Sequence, residues 1–231
     1  MNCELKKRNI PFSPPDITEL EIEEVVKALR SGWITTGPRT KELERRLADY
    51  CHTSKVVCLG SATAAEELNF RVCGIGEGDE VIVPAYTYTA TASAAIHCGA
   101  KVIFVDSQKD STEMDYDKVA DAITERTKAV VAVDLGGIIC DYDKLYEAVE
   151  SKKELFTPKQ GSDLGARIQQ SIGRVLVFAD CAHALGASKN GKMAGEWADF
   201  SNYSVHAVNL SSRKVVHCLP IERPTQVKEV A

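Results

Sequence analysis

Four short stretches of the 231-residue sequence carry side chains suited to binding or catalysis: residues 60–64, 84–88, 179–183 and 204–206. The first combines small residues with two hydroxyls ahead of a predicted helix, and a helix N-terminus of this kind suits a phosphate group. The second supplies two aromatic rings, the third a carboxylate and an imidazole, and the fourth another hydroxyl and imidazole. Taken together, these groups favour a site for an aromatic, phosphorylated cofactor.

Each of these groups also has a simpler structural role. The alternatives are helix capping for Ser61, Thr63 and Asp180, an edge position in the core for Tyr86 and Tyr88, and ordinary hydrogen bonding for His183 and His206. Taken singly, every residue favours the structural role. Their convergence on one edge of a sheet is what favours a site.

The elements that must position these groups are six short apolar runs rich in Val and Ile. The runs are nearly continuous rather than alternating, which is typical of strands buried on both faces of a parallel sheet. They lie at residues 56–59, 81–84, 102–105, 129–133, 175–179 and 200–203. Predicted helices at 62–72, 90–98, 116–124 and 142–150 alternate with them. The sequence therefore predicts a three-layer α/β/α fold with a mostly parallel sheet, whose ligands bind at the carboxyl ends of the strands.

Three further segments have a predicted structure. Residues 17–29 and 40–50 have helical spacing and flank a loop that is rich in Gly and Pro. Residues 156–166 are polar and are interpreted as a surface insertion. The glycines at 74, 76 and 78 resemble part of a dinucleotide-binding motif, but they follow a helix and precede a strand, so a connecting turn is the better prediction.

The composition excludes several classes of protein. Hydrophobic residues make up 44% and charged residues 26%, as in ordinary globular proteins, and a net charge of −5 argues against a nucleic-acid partner. No apolar run approaches the roughly 18 residues of a membrane span, and the N-terminus lacks the apolar core of a signal peptide. The eight cysteines form no C-x-x-C pair, so we expect reduced thiols in a cytoplasmic protein without a metal site.

From residue 37 to residue 206 the sequence resembles the sugar aminotransferases of the DegT/DnrJ/StrS type. The matching stretches, in order and spacing, are 61–65, 76–84, 99–101, 104–106, 127–130, 179–187 and 200–206. The resemblance implies the large domain of the aspartate-aminotransferase fold and pyridoxal 5'-phosphate as cofactor. It also implies a homodimeric transaminase that transfers an amino group, usually from glutamate, to a nucleotide-linked keto-sugar. The products would serve polysaccharide, glycan or antibiotic sugar biosynthesis.

The same resemblance implies roles for individual residues. The cofactor-binding set is Ala62, Thr63, Tyr88, Asp180, His183 and Ser204, and the substrate loop contains Trp33, Thr35 and Thr36. Within that set, Asp180 would keep the pyridine nitrogen protonated and Tyr88 would stack on the ring. His183 would lie beside the ring hydroxyl. No role is assigned to Asp134, which stands where the family often carries His.

Two departures from the family pattern matter for activity. The position of the Schiff-base lysine holds Asn209, and a carboxamide cannot form an imine. No catalytic residue is therefore assigned, and we expect this chain to be inactive although its family is enzymatic. Residues 209–231 match nothing in the family, whose small C-terminal domain is missing. The expected division is an N-terminal segment (1–50), a cofactor-binding domain (51–208) and a divergent or out-of-frame tail (209–231).

Alternative functions stay open at this point. The first is a non-catalytic remnant that binds pyridoxal phosphate weakly or not at all. A hydrolase built on Ser204, His206 and Asp180 is disfavoured because the sequence lacks a G-x-S-x-G elbow. A metal site formed by Asp180, His183 and His206 is equally disfavoured.

The tail yields two predictions. Its apolar residues between 215 and 219 are expected to form a β segment of the sheet. If the tail results from a frameshift near residues 208–210, reading the gene one base earlier gives Glu-Gly-Gly opposite residues 213–218. Sequencing the gene tests this prediction, and a frame without Glu-Gly-Gly would identify a genuinely divergent tail.

Overall fold

The computed structural model describes residues 17–33 and 35–205, together with the backbone of 215–219. Its helices are α1 (Glu19–Arg30), α2 (Pro38–Tyr50), α3 (Ala62–Val72), α4 (Thr89–His97), α5 (Tyr116–Ala122), α6 (Tyr142–Glu150) and α7 (Leu164–Ile172). Its strands are β1 (Lys55–Leu59), β2 (Glu80–Pro84), β3 (Lys101–Val105), β4 (Thr127–Val133), β5 (Leu176–Asp180), β6 (Ser188–Lys189), β7 (Lys192–Met193), β8 (Phe200–Tyr203) and β9 (Val215–Leu219).

Seven strands form one sheet in the order β1-β9-β8-β5-β4-β2-β3. The pairs from β8 through β3 are all parallel, whereas β9 lies antiparallel between β1 and β8. Strand β1 therefore runs in the same direction as β5. As a result, the carboxyl ends of β1 and β5 lie on the same edge of the sheet. Thr63 follows the end of β1, and Asp180 is the last residue of β5.

Strands β2 and β5 in the middle of the sheet are buried along their whole length. Phe178 of β5 packs against Phe70 of α3 and Phe200 of β8, with ring centroids 5.3 Å apart in both pairs. These contacts fix α3 against the strands that carry the site. The position of the α3 N-terminus relative to β5 is thus set by core packing.

Helices α1 and α2 differ from the others because none of their residues is buried. Thr18 caps α1 through a capping box with Glu21. Four apolar side chains of α1, those of Leu20, Ile22, Val25 and Leu29, are exposed. Within the described residues, no helix has the length and apolar character needed to cross a membrane.

The fold predictions are largely confirmed. The three-layer α/β/α arrangement, the six predicted strands and the predicted β segment at 215–219 are all present. The glycines at 74 and 76 form the connecting turn between α3 and β2, in which Asp79 accepts a hydrogen bond from the Gly76 N–H. The described cysteines form no disulfide and lie at positions 51, 58, 73, 98, 140 and 181.

The interpretation of 156–166 as a surface insertion is wrong at both ends. Phe156 and Ala166 are buried, and helix α7 begins inside the stretch. Asp163 caps α7 by accepting a hydrogen bond from the Ala166 N–H, and Gly173 ends it in the left-handed conformation. These are ordinary start and stop signals that the glycines of the segment obscured.

The contact between α7 and the turn after α3 leaves no room for a side chain at Gly165. A Cβ there would lie 2.6 Å from both Cα and N of Gly74. We expect Gly165→Ala to destabilise the protein by about 1–3 kcal/mol, because backbone must move to admit the methyl group. Gly60→Ala is the control, since a Cβ at that position meets nothing within 4 Å. Equal melting temperatures for the two variants would contradict this packing.

Candidate functional site

The site is built around Asp180, the last residue of β5, which is 6% exposed. Its Oδ1 accepts hydrogen bonds from the Ala182 N–H at 3.1 Å and from Nδ2 of Asn202 at 3.3 Å. Its Oδ2 accepts one from the hydroxyl of Thr91 at 3.0 Å. Donors from a turn, a strand and a helix thus converge on one carboxylate.

Burial is the dominant influence on Asp180. Removal from water raises the pKa of its carboxyl, while the hydrogen bonds from Ala182, Thr91 and Asn202 and the nearby His183 oppose that rise. Such a carboxyl gains most from a cationic ligand, because a positive charge would favour its ionised form. The alternative in which Asp180 caps a helix is wrong, since residues 182–186 form turns rather than a helix.

Helix α3 begins at the same edge of the sheet. Ser61 caps it by accepting a hydrogen bond from the Ala64 N–H at 3.0 Å, so the capping role is confirmed for Ser61. The N–H groups of Ala62 and Thr63 belong to the first turn, where no helical carbonyl is available to them. They are the groups that a helix N-terminus offers to an anion.

Helix α4 contributes an aromatic ring and a buried hydroxyl. Tyr88 precedes its first turn and is 77% exposed, and Tyr86 is 60% exposed, so neither lies in the core. Thr91 is fully buried and its Oγ1 lies 2.9 Å from that of Thr87. The turn after β2 therefore exposes the rings of Tyr86 and Tyr88, and α4 directs the hydroxyl of Thr91 towards Asp180.

Two more predicted site residues lie on the loops after β5 and β8. His183 is exposed, and its Nδ1 accepts a long hydrogen bond from the Gly136 N–H at 3.5 Å. Ser204 directly follows β8 and is buried. Both follow the carboxyl ends of their strands, as the sequence predicted.

The loop between α1 and α2 is closed by Trp33. Its indole N–H donates a hydrogen bond to the carbonyl oxygen of Thr36 at 3.1 Å. The indole packs directly on Gly37, where a Cβ would overlap the ring. Thr35 and Thr36 are exposed. The loop is thus ordered by its own contacts, and its predicted contact with substrate stays a prediction.

Several buried polar groups near Asp180 have no hydrogen-bond partner among the described residues. They are Oε1 of Glu66, both amide atoms of Asn69 and Oδ1 of Asn202. Glu66 is 1% exposed on the inner side of α3. Burial, together with the charge of Asp180, raises the pKa of Glu66 well above its usual range, which favours the neutral carboxyl.

Three residues of this site were not predicted: Thr91, Asn202 and Glu66. Asn202 stands in a fully buried strand, and Glu66 in the buried half of a helix, so each was a visible polar residue in a buried element. Thr91 is three residues beyond Tyr88, one turn into the helix. Two predicted positions, His206 and Asn209, lie outside the described residues.

Metal-binding groups are not found among the described residues, where no three His, Cys, Asp or Glu side chains are arranged to hold an ion. The proposed hydrolase triad is not brought together within this part of the chain either, since one of its members is His206. The described groups offer hydrogen-bond donors, an aromatic face and one buried carboxylate.

Comparison with known proteins places this arrangement in context. A sequence model of the DegT/DnrJ/EryC1/StrS aminotransferase family matches residues 15–157 and 166–210. The residues between the two matched ranges, 158–165, lie between β4 and β5 and end within the first turn of α7. All the predicted cofactor-binding residues fall inside the matched ranges.

Two curated relatives align with most of the chain. The spore coat polysaccharide biosynthesis protein SpsC of Bacillus subtilis is 35% identical over 205 residues, which are 88% of this chain and 47% of that protein. The UDP-4-amino-4-deoxy-L-arabinose–oxoglutarate aminotransferase of Shewanella sediminis is 37% identical over 199 residues, 86% of this chain and 46% of that protein. The chain therefore spans about half the length of the curated relatives that it matches.

A solved structure is closer in sequence. The putative sugar aminotransferase Spr1654 of Streptococcus pneumoniae, in its apo form, is 50% identical with a TM-score of 0.89, covering 96% of this chain and 55% of that one. Its PLP form and its PMP form each superpose with a TM-score of 0.88 at 51% identity. The mostly parallel sheet with its flanking helices is the fold of that protein.

The unpartnered carboxyl of Glu66 generates a stability prediction. Glu66→Leu is expected to stabilise the protein by about 1–3 kcal/mol, because it removes a buried polar group that lacks a partner. Since the folded pKa of Glu66 is raised, the folded chain keeps a proton that the unfolded chain releases as pH rises above about 4.3. Wild-type stability therefore falls with rising pH, and the advantage of Glu66→Leu should widen.

The control for this measurement is Glu67→Leu. Glu67 is the next residue of α3, but it is partly exposed and paired with Arg71. Its replacement is expected to leave the melting temperature unchanged or lower, without a widening difference at high pH. Thermal unfolding between pH 5 and pH 8, about the range in which most proteins are stable, gives the comparison. A Glu66→Leu variant less stable than wild type would contradict the conclusion that Glu66 is a buried carboxyl whose Oε1 lacks a hydrogen-bond partner among the described residues.

Proposed function

The chain belongs to the DegT/DnrJ/EryC1/StrS aminotransferase family, and from that premise we propose that it is the cofactor-binding portion of a pyridoxal-phosphate-dependent sugar aminotransferase. The substrate class is a nucleotide-linked keto-sugar, with an amino donor such as glutamate. The names of the relatives support this class, since one is a polysaccharide biosynthesis protein and another transfers an amino group between oxoglutarate and a nucleotide-linked amino sugar. The PLP and PMP forms of Spr1654 support the cofactor.

The observation that carries the proposal is the buried carboxylate of Asp180. It is held by three donors on the same sheet edge as the N-terminus of α3. Pyridoxal phosphate has a basic ring nitrogen at one end and a phosphate at the other. A buried carboxylate and a free helix N-terminus are the complementary groups, so the residues present fit this cofactor.

Each residue then has a defined task. When bound, pyridoxal phosphate supplies an electron-accepting ring. Asp180 holds the proton on the ring nitrogen, and Thr91 and Asn202 keep the Asp180 carboxylate oriented and ionised. Tyr88 offers an aromatic face for the ring.

The phosphate of the cofactor binds at the first turn of α3. The N–H groups of Ala62 and Thr63, with the Thr63 hydroxyl, bind its oxygens, and Ser204 adds a hydroxyl from the end of β8. The Trp33 loop, with Thr35 and Thr36, contacts the sugar substrate.

The catalytic activity of this chain depends on an amine that the cofactor contacts above do not include. A transaminase needs an amine that anchors the cofactor and moves a proton, and the expected position holds Asn209. We propose that residues 51–208 form the cofactor-binding domain, that residues 209–231 are a divergent or out-of-frame tail, and that this chain has no transaminase turnover. The family resemblance also implies a homodimer. We propose that the exposed Tyr86 would lie near the interface between its two subunits.

The second candidate is a non-catalytic remnant that binds the cofactor weakly or not at all. The unpartnered polar groups of Glu66, Asn69 and Asn202 favour it, because they weaken the packing around Asp180. Cofactor affinity distinguishes the two candidates.

Binding of pyridoxal phosphate is expected to depend on Asp180. Asp180→Asn should raise Kd about 10- to 100-fold, because it removes a charge-assisted contact worth roughly 1.5–3 kcal/mol. Thr91→Val, which removes one donor to Asp180, should raise Kd about 2- to 10-fold. Fluorescence titration of the purified chain measures both.

Asp106→Asn serves as the matched control for these variants. Asp106 follows β3 on the same sheet edge, but its side chain is 77% exposed and is paired with Lys118 of α5. Its replacement should leave Kd unchanged. Equal affinities for the wild type, Asp180→Asn and Asp106→Asn would overturn the cofactor assignment.

Restoring the lysine alone is not expected to restore activity. Asn209→Lys supplies the amine, but the sequence that follows position 209 still departs from the family pattern. Restoring the reading frame together with the full downstream sequence should give keto-sugar-dependent amino transfer. Turnover by the single Asn209→Lys variant would contradict this prediction.

A further inference from the structure

Asp134 directly follows β4, and its carboxylate is fully buried although it has no place in the proposed cofactor contacts. Its Oδ1 accepts hydrogen bonds from the backbone N–H of Cys140 at 3.0 Å and from the hydroxyl of Tyr142 at 3.2 Å. Its Oδ2 accepts one from the thiol of Cys181 at 3.4 Å. Asp134 therefore joins the loop after β4 to the loop after β5, which carries His183.

The loop after β4 turns at two glycines. Gly136 and Gly137 have φ angles of 62° and 79°, in the left-handed region that side chains disfavour. This turn brings the Gly136 N–H to 3.5 Å from Nδ1 of His183. It also places Gly137 so close to the His183 backbone that a Cβ would lie 3.6 Å from its carbonyl oxygen. The two loops are therefore in direct contact.

The direction of this hydrogen bond favours one form of the imidazole. A backbone N–H can only donate, so Nδ1 of His183 is the acceptor in this contact. A neutral imidazole has one accepting nitrogen and one that carries the proton. The contact from Gly136 therefore favours the tautomer with the proton on Nε2, in which that atom is a donor.

We propose that Asp134 is a positioning residue that holds His183 in the Nε2–H form. The Asp134 carboxylate accepts hydrogen bonds from Cys140, at the far end of the loop after β4, and from Cys181, at the start of the loop after β5. It thereby holds the two loops together and fixes the position of the Gly136 N–H relative to His183. The purpose rests on the proposed function: an N–H donor on His183 suits the phenolic oxygen of pyridoxal phosphate. The tautomer itself is a property of the protein without cofactor.

A second link between the same loops makes the test practicable. Nζ of Lys189 donates hydrogen bonds to the carbonyl oxygens of Ile139 and Cys140, both at 3.3 Å. This link stays intact when Asp134 is replaced, so the loops remain tethered. It reaches neither Gly136 nor the ring of His183, so it cannot set the tautomer by itself.

The experiment is NMR of the full chain with ¹⁵N-labelled histidine, without cofactor and in alkaline buffer. The His183 signals are identified by their loss in His183→Gln. Wild type should show a protonated Nε2 and an unprotonated Nδ1. Asp134→Ala should lose this single pattern and give a mixture of tautomers. Asp134→Asn should keep it, because the carboxamide oxygen still accepts from Cys140 and Tyr142 and the carboxamide N–H can donate to the sulfur of Cys181.

The control is Ile138→Ala, which removes an exposed side chain from the same loop but leaves the carboxylate and its three donors; the tautomer of His183 should match wild type. A wild-type imidazole protonated on Nδ1 overturns the proposal, as does a folded Asp134→Ala with an unchanged tautomer. If Asp134→Ala does not fold, Cys181→Ala removes the donor to Oδ2 and should shift the tautomer in the same direction, and no shift overturns the proposal. Failure of pyridoxal phosphate to bind would contradict only the proposed function.

Discussion

The rest of the site depends on holding one carboxyl group inside the protein. Asp180 ends a fully buried strand, and a buried charge is costly unless donors or a positive charge face it. The Thr91 hydroxyl of α4, the Asn202 amide of β8 and the Ala182 N–H all point at it. Three separate parts of the fold must therefore be in register before this group can serve a ligand.

The same neighbourhood contains groups that work against folding. Glu66 and Asn69 place polar atoms without partners among the described residues on the inner side of α3, whose Phe70 packs against Phe178 of β5. The helix whose N-terminus we propose as the phosphate site is thus held by apolar contacts and weakened by polar ones. Marginal packing of α3 would reduce cofactor affinity without any change in the residues that touch the cofactor.

The sequence predicted the strands because buried parallel strands have a simple pattern, and it predicted the site edge because ligands bind where such strands end. Helix α7 was missed because Gly161 and Gly165 suggested a loop, whereas Gly165 is required by contact with Gly74. Thr91 and Asp134 could not be given roles from sequence. Their hydrogen bonds join residues 89 and 47 positions apart, with Asp180 and Cys181 respectively, and such pairs become neighbours only in the folded chain.

The central claim is that this chain holds pyridoxal phosphate at Asp180 without a covalent anchor. Borohydride reduction of the chain with added pyridoxal phosphate, followed by peptide mass mapping, tests it most directly. Because position 209 is Asn, the account predicts reversible binding that Asp180→Asn weakens, and no single lysine that carries a stoichiometric pyridoxyl group. A stoichiometric pyridoxyl group on one lysine, together with amino transfer to a keto-sugar, would contradict it.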